Sequence, residues 1–193
     1  MSRTTNIVIT GVGGQGVIMA SYVLGQAALT DGFDVKQSEV HGMSQRGGSV
    51  LSHLRFGGKV WSPLVSEGTA DILLSFEALE ALRYMSWLRP GGRLVYNTLR
   101  VNPSTVSAGL AEYPSDIHEQ IRRSWDTVVG VDANALALEA GNPRAANMVM
   151  LGAISGNLPF VDNTWEKIIA SVVPPKTVEA NMRAFRLGRD CAA

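Results

Sequence analysis

The sequence predicts a three-layer α/β/α architecture, with helices on both faces of a mixed, mostly parallel sheet. Three observations carry this. Short apolar runs at residues 6–10, 71–76 and 93–98 alternate with stretches of helical spacing, the rhythm of strands joined by crossover helices. Residues 50–56 alternate apolar and polar side chains, as a strand with one wet face does. The segment leading into that strand is too short for a parallel crossover, so the parallel order is interrupted there.

Taken in order, residues 6–10 form a buried strand around Ile7, Val8 and Ile9, ending at the glycine loop of residues 11–16, GVGGQG. A helix follows, with Val17, Val23, Leu24, Ala27 and Ala28 at helical spacing, and Asp31 and Gly32 close it. Residues 33–38 form a second strand, parallel to the first because a helix joins them. After a polar loop at 39–48, EVHGMSQRGG, comes the alternating strand, in which Val50, Leu54 and Phe56 face the core and Ser49, His53 and Arg55 face away. Gly57 and Gly58 before Lys59, Val60 and Trp61 signal a hairpin, and Pro63 stops its second arm or places it on an edge.

The parallel rhythm returns with a strand at 71–76 and a helix striped by Leu79, Leu82, Met85 and Leu88. Pro90, Gly91 and Gly92 end that helix before the strand at 93–98. Residues 99–112 show no period and read as loop. Then come a helix at 116–125, a strand at 127–131 and a helix at 133–140 ended by Gly141. Residues 144–158 are apolar nearly all round, which makes that helix buried or part of a subunit interface. Asn163, with Glu166 three residues on, signals a capped helix with Trp165, Ile168, Ile169, Val172 and Val173 on one face. A last helix spans 177–187, striped by Val178, Met182 and Phe185. Neither repeats nor a linker divide the chain, so residues 1–193 read as one domain.

Composition narrows the function. Hydrophobic residues are 46% and charged ones 18%, which suits a folded globular chain. Lys plus Arg (17) balances Asp plus Glu (17) without long runs, which argues against nucleic acid and anionic membrane as partners. The single cysteine, Cys191, excludes an internal disulfide, a cysteine zinc site and a cysteine-ligated cluster. No apolar leader or membrane-length run is visible, so a cytoplasmic protein is expected.

Two loops concentrate the candidate site residues. Gly11, Gly13, Gly14, Gln15 and Gly16 satisfy G-x-G-x-x-G between a strand and a helix, making the first βαβ unit Rossmann-like. Glu39 follows at about the place of a ribose-binding acid, ~20 residues on. Such glycines let an anion approach backbone amides at a helix N-terminus, or they serve only a tight turn and close helix packing. The interrupted parallel order counts against an ordinary dinucleotide crevice. In the polar loop, Glu39, His41, Ser44, Gln45, Arg46, Gly47 and Gly48 place a guanidinium beside exposed amides, a seat for phosphate or carboxylate. The alternative is that Glu39 and Arg46 pair with each other or with a neighbouring subunit. Of the remaining histidines, His53 belongs on the polar face of a strand and His118 on a helix. No metal-ligand pair, nucleophile elbow or complete catalytic constellation is present.

Taken together, NIVITGVGGQGVIMAS, SEVHGMSQRGGSVLSHLRFG, NMVMLGAISG and VEANMRAFRLG resemble the γ-type domain of the 2-oxoacid:ferredoxin oxidoreductases, nearest to the β-subunit type of the indolepyruvate enzymes. The resemblance runs from Asn6 to Gly188. It implies a multisubunit enzyme that decarboxylates a 2-oxoacid on thiamine diphosphate, passes electrons through 4Fe–4S clusters to ferredoxin, and forms acyl-coenzyme A and CO2. It also implies that the thiamine diphosphate and the clusters reside in a large partner subunit, and that this chain binds no cofactor, carries no catalytic residue and directs its polar loop toward that partner. Indolepyruvate or another aryl pyruvate is the substrate implied. An apolar partner-seeking surface is then expected, with the 144–158 helix and Trp61, Trp87, Trp125 and Trp165 as candidates. A free-standing nucleotide-binding protein and a self-associating scaffold are the competing readings.

Overall fold

The computed structural model describes residues 3–41 and 48–192. In chain order these form β1 (Thr5–Val12), α1 (Val17–Thr30), β2 (Asp34–His41), β3 (Ser49–Gly57), β4 (Ala70–Ser75), α2 (Ala78–Tyr84), β5 (Leu88–Asn97), α3 (Ser104–Ser107), α4 (Ile117–Ser124), β6 (Val128–Val131), α5 (Ala133–Glu139), α6 (Ala146–Ser155), α7 (Asp162–Val172) and α8 (Val178–Cys191). The strands form one sheet in the order β2-β3-β1-β4-β5-β6. β1, β4, β5 and β6 are parallel, while β3 runs antiparallel to both β1 and β2.

Successive residues of a strand point to opposite faces, and here both faces are covered. Ile7 and Ile9 join a core shared with α1, α6 and α8, whereas Val8 points to a second core containing Ile117 and Ile121 of α4. The expected three-layer architecture and mixed, mostly parallel sheet are therefore found.

The structure departs from the sequence reading at several places, each for a physical reason. β2 is parallel to β1 but does not touch it, because β3 inserts between them along its whole length. β3 thus has neighbours on both edges and cores on both faces, and His53 on its supposed polar face is only 3% exposed. No hairpin follows β3. The chain instead folds back on itself: Val60 N–H donates to Asp34 at 2.8 Å, and Arg55 Nη1 donates to the carbonyls of Ser62 and Leu64. β5 starts at Leu88 rather than Arg93, taking Pro90, Gly91 and Gly92 into a register shift against β4. α7 begins at Asp162 without a side-chain cap from Asn163. Its first turn is held instead by Asp31, which accepts from Val161 N–H and Thr164 Oγ1. α8 runs on to Cys191, past the predicted end.

The apolar helix of the sequence, now α6, lies inside the molecule: Met148 to Ile154 are all buried. Its closest neighbour is α8, and the two backbones meet at Gly152 and Gly188. A Cβ at Gly152 would overlap the Phe185 carbonyl oxygen, and one at Gly188 the Val149 carbonyl oxygen. Trp165 is also fully buried, against Phe160 and Phe185. Trp125 is partly buried and donates Nε1–H to the Gly92 carbonyl, and Trp87 packs in the second core. Of the features expected to seek a partner, only Trp61 is exposed, at 86%.

Candidate functional site

The two loops singled out in the sequence come together at one end of the sheet. β1 and β3 pair through Val12 and Ser49, and beyond that pair Gly13 N–H donates to the Gly48 carbonyl at 2.9 Å. Ser44, Gln45, Arg46 and Gly47, with the side chain of His41, lie outside the described residues.

The glycine positions have distinct causes. Gly11 is buried at the strand end, where a Cβ would lie 2.8 Å from Phe76 Cβ and 2.9 Å from Val17 Cγ2. Gly16 takes φ +86° just before α1, a left-handed conformation that favours glycine, and packs against Asn147. Gln15 closes the turn: its Oε1 accepts from Val12 N–H at 2.7 Å, while its buried Nε2 has no hydrogen-bond partner among the described residues. Tight turn and close helix packing are thus both present, and the N-terminus of α1 remains directed at this loop.

An open groove of about 630 Å³ runs beside it, lined by Gly13, Gly14 and Gly16, by Ile18, Met19 and Tyr22 of α1, and by Gln37 and Glu39 of β2. Glu39 does line the same groove as the glycines, although it sits on the edge strand, one strand further out than a ribose-binding acid would be. Its Oε1 accepts from Gln37 Nε2 at 2.9 Å. On the other side of the loop, a crevice of about 420 Å³ is bounded by Gln15, Asn97, Asn134 and Arg144. Asn97 is buried, with Nδ2 donating to Asn134 Oδ1 at 3.0 Å.

The roots of both loops meet on α2. Glu80 is 4% exposed; its Oε2 accepts from Ser49 Oγ at 2.5 Å and from Thr10 Oγ1 at 3.5 Å, and its Oε1 faces Arg83 Nη1 at 3.0 Å. Glu77 caps the helix by accepting from Glu80 N–H at 3.0 Å, and its other oxygen accepts from Val101 N–H and Tyr113 Oη. Burial pushes the Glu80 carboxyl above its usual range, against the pull of the Ser49 hydroxyl and Arg83. Burial, together with the adjacent Glu77 carboxylate, raises the Tyr113 phenol strongly. The sequence reading missed this pair. Its signal was a carboxylate at a strand end with a second one three residues on, an ordinary helix-start pattern with nothing to announce burial.

His53 and His118 serve structure. His53 Nδ1 accepts from Val65 N–H and its ring packs on Trp87, and burial holds the imidazole below its usual range, in the neutral form. His118 lies on α4 beside the Tyr96 hydroxyl. Among the described residues, no group of three or more His, Cys, Asp or Glu is placed to hold a metal, and no helix is long and apolar enough to cross a membrane.

Comparison with known proteins places this geometry. The family model described as pyruvate ferredoxin/flavodoxin oxidoreductase matches residues 6–191. The chain is 46% identical over 188 residues to indolepyruvate oxidoreductase subunit IorB of Thermococcus kodakarensis, covering 95% of this chain and 93% of that one. It is 31% identical over 195 residues to ketoisovalerate oxidoreductase subunit VorA of Methanothermobacter marburgensis, covering 98% of this chain but 37% of that longer one. Among solved structures it superposes on the gamma subunit of a keto/oxoacid ferredoxin oxidoreductase from Geobacter sulfurreducens with a TM-score of 0.72, at 26% identity, over 97% of this chain and 98% of that one. These likenesses give no support to a free-standing nucleotide-binding protein. The chain belongs to the pyruvate ferredoxin/flavodoxin oxidoreductase family and is a subunit of a 2-oxoacid:ferredoxin oxidoreductase.

Proposed function

We propose that residues 1–193 are one γ-type domain serving as the cofactor-free subunit of a cytoplasmic indolepyruvate:ferredoxin oxidoreductase. The 46% identity to an indolepyruvate oxidoreductase subunit supports the choice of an aryl pyruvate as substrate. The observation that carries the reading is the joining of the two loops, through Gly13 and Gly48, at the mouth of an apolar groove. A large subunit holding thiamine diphosphate and 4Fe–4S clusters docks on that side, and ferredoxin is reached through it. With Cys191 as its single cysteine, this chain lacks the thiolates a cluster needs.

The glycine amides, the N-terminus of α1 and Arg46 offer positive potential to an anionic group of coenzyme A, as the enzyme forms acyl-coenzyme A and CO2. This chain supplies position and charge; bond making belongs to the partner. The test is to purify the tagged chain from its native cells with whatever co-elutes, then assay arylpyruvate- and coenzyme A-dependent reduction of a low-potential dye. Arg46→Ala is expected to raise the coenzyme A KM roughly tenfold or more, the loss of one charge-assisted hydrogen bond, while the complex still assembles. Unchanged assembly together with unchanged coenzyme A dependence would remove Arg46 from the site. A lone chain, without partner or activity, would overturn the whole reading.

A further inference from the structure

At the opposite end of the strands, where β1, β4 and β5 begin, a pocket of about 360 Å³ is lined by Arg3, Arg89 and Arg93 together with Asp71, Thr127 and Asn157. Asp71 is the one carboxylate in this lining, and its capacity is used. Its Oδ1 accepts from Arg3 Nη2 and Arg89 Nε, each at 2.6 Å, and its Oδ2 accepts from Asn6 N–H at 2.9 Å.

Arg93 has no such counter-ion among the described residues. Its Nη2 donates to the neutral Ala192 carbonyl at 3.1 Å, and its Nε is buried with no hydrogen-bond partner. Burying part of a guanidinium costs free energy unless a charge or a full set of acceptors compensates it. Among the described residues of the lining, three guanidiniums stand against one carboxylate, an excess of two positive charges around a concave space. A carboxylate ligand would cancel one of these and present two oxygens. A phosphate dianion cancels both, and its tetrahedral oxygens accept from several guanidiniums at once.

We propose that this pocket binds a phosphoryl oxyanion, with Arg93 and Arg89 as its principal ligands and Arg3 closing over it from the surface. The proposal is independent of the two-loop site, which lies at the other end of β1.

The experiment is a calorimetric titration of the full chain with inorganic phosphate and, separately, with adenosine monophosphate, at constant ionic strength against chloride. Saturable binding of phosphate is expected, with Arg93→Gln weakening it at least tenfold and Arg3→Gln several-fold. The exposed Arg183 on α8 serves as control, and Arg183→Gln is expected to bind as the unaltered chain does. Tighter binding of the nucleotide would identify a phosphate ester as the ligand, and equal or tighter binding of inorganic phosphate would identify the free anion. Phosphate acting no differently from chloride, or Arg93→Gln retaining full affinity, would overturn the proposal. Should Arg93→Gln fail to fold, the exposed Arg3 provides the same test without disturbing the core.

Discussion

Glu80 shows how one side chain sets the geometry of two loops. It touches Thr10 at the end of β1 and Ser49 at the start of β3, the strand ends from which the glycine loop departs and to which the polar loop returns. Replacing it with alanine strands the Ser49 hydroxyl and Arg83, and is expected to cost about 1–3 kcal/mol in chemical denaturation, whereas Glu80→Gln should recover most of that loss. Linkage gives the sign of the pH effect. The folded-state pKa of Glu80 lies above the ordinary value of 4.5, so the folded state holds the proton more tightly than the unfolded one. The contribution is fully present below 4.5 and is lost as pH rises through the higher folded pKa. Unfolding midpoints of the unaltered chain and of Glu80→Gln, compared at acid and neutral pH, should converge or cross in that direction. A difference independent of pH would mean that Glu80 does not titrate across the range. The helix-start acids were visible in the sequence. Their burial was not, because Val101 and Tyr113 cover Glu77 while Thr10 and Ser49 cover Glu80, residues that no local period places beside them.

Among the elements, the crossing of α6 and α8 has the least tolerance. At Gly152 and Gly188 the backbone of each helix occupies the space where the other would place a Cβ, so no side-chain adjustment relieves an added methyl group. Gly152→Ala and Gly188→Ala should each destabilise by about 3 kcal/mol or more, the upper end of overpacking costs. Gly156, at the end of α6, has nothing within 4 Å of its Cβ position, and Gly156→Ala should lie within about 1 kcal/mol of the unaltered chain. Urea denaturation of the three variants decides the matter; similar midpoints for all three would mean that the helices can separate freely. The sequence showed small residues in an all-round apolar helix and left open whether the chain itself or a partner covered it. The contact with α8 answers that, and it depends on a pairing some 36 residues apart, beyond any local period.

For the whole molecule, apart from Trp61, the exposed apolar surface lies away from the tryptophans. Trp165 fills the core, and the residues left in solvent beside the glycine loop are Ile18, Met19 and Tyr22, at 36%, 40% and 47% exposure. If the partner subunit docks there, Met19→Glu and Tyr22→Glu should abolish co-purification while leaving the circular dichroism spectrum and unfolding midpoint of this chain nearly unchanged. Retained assembly in both variants would move the docking surface elsewhere. α1 explains why the helical stripe identified in the sequence was incomplete: Val17, Val23, Leu24, Ala27 and Ala28 face the sheet as read, but the opposite side of the helix is apolar as well.

By itself, the sequence determined the alternation of strands and helices, the place of the tight turn at Gly11 to Gly16, and the irregularity after β2, since these rest on local periodicity, glycine spacing and connection length. Its motifs also pointed to the family. Only the tertiary structure decided the order of strands across the sheet. β3 lies between β1 and β2 because both of its faces are covered and both of its hydrogen-bonding edges are paired there, a condition set by residues far apart in the chain. The same insertion moves Glu39 to the sheet edge, brings Gly48 to Gly13, and turns a Rossmann-like beginning into a two-loop site, because hydrogen-bond pairing and burial, rather than sequence distance, fix which ends meet.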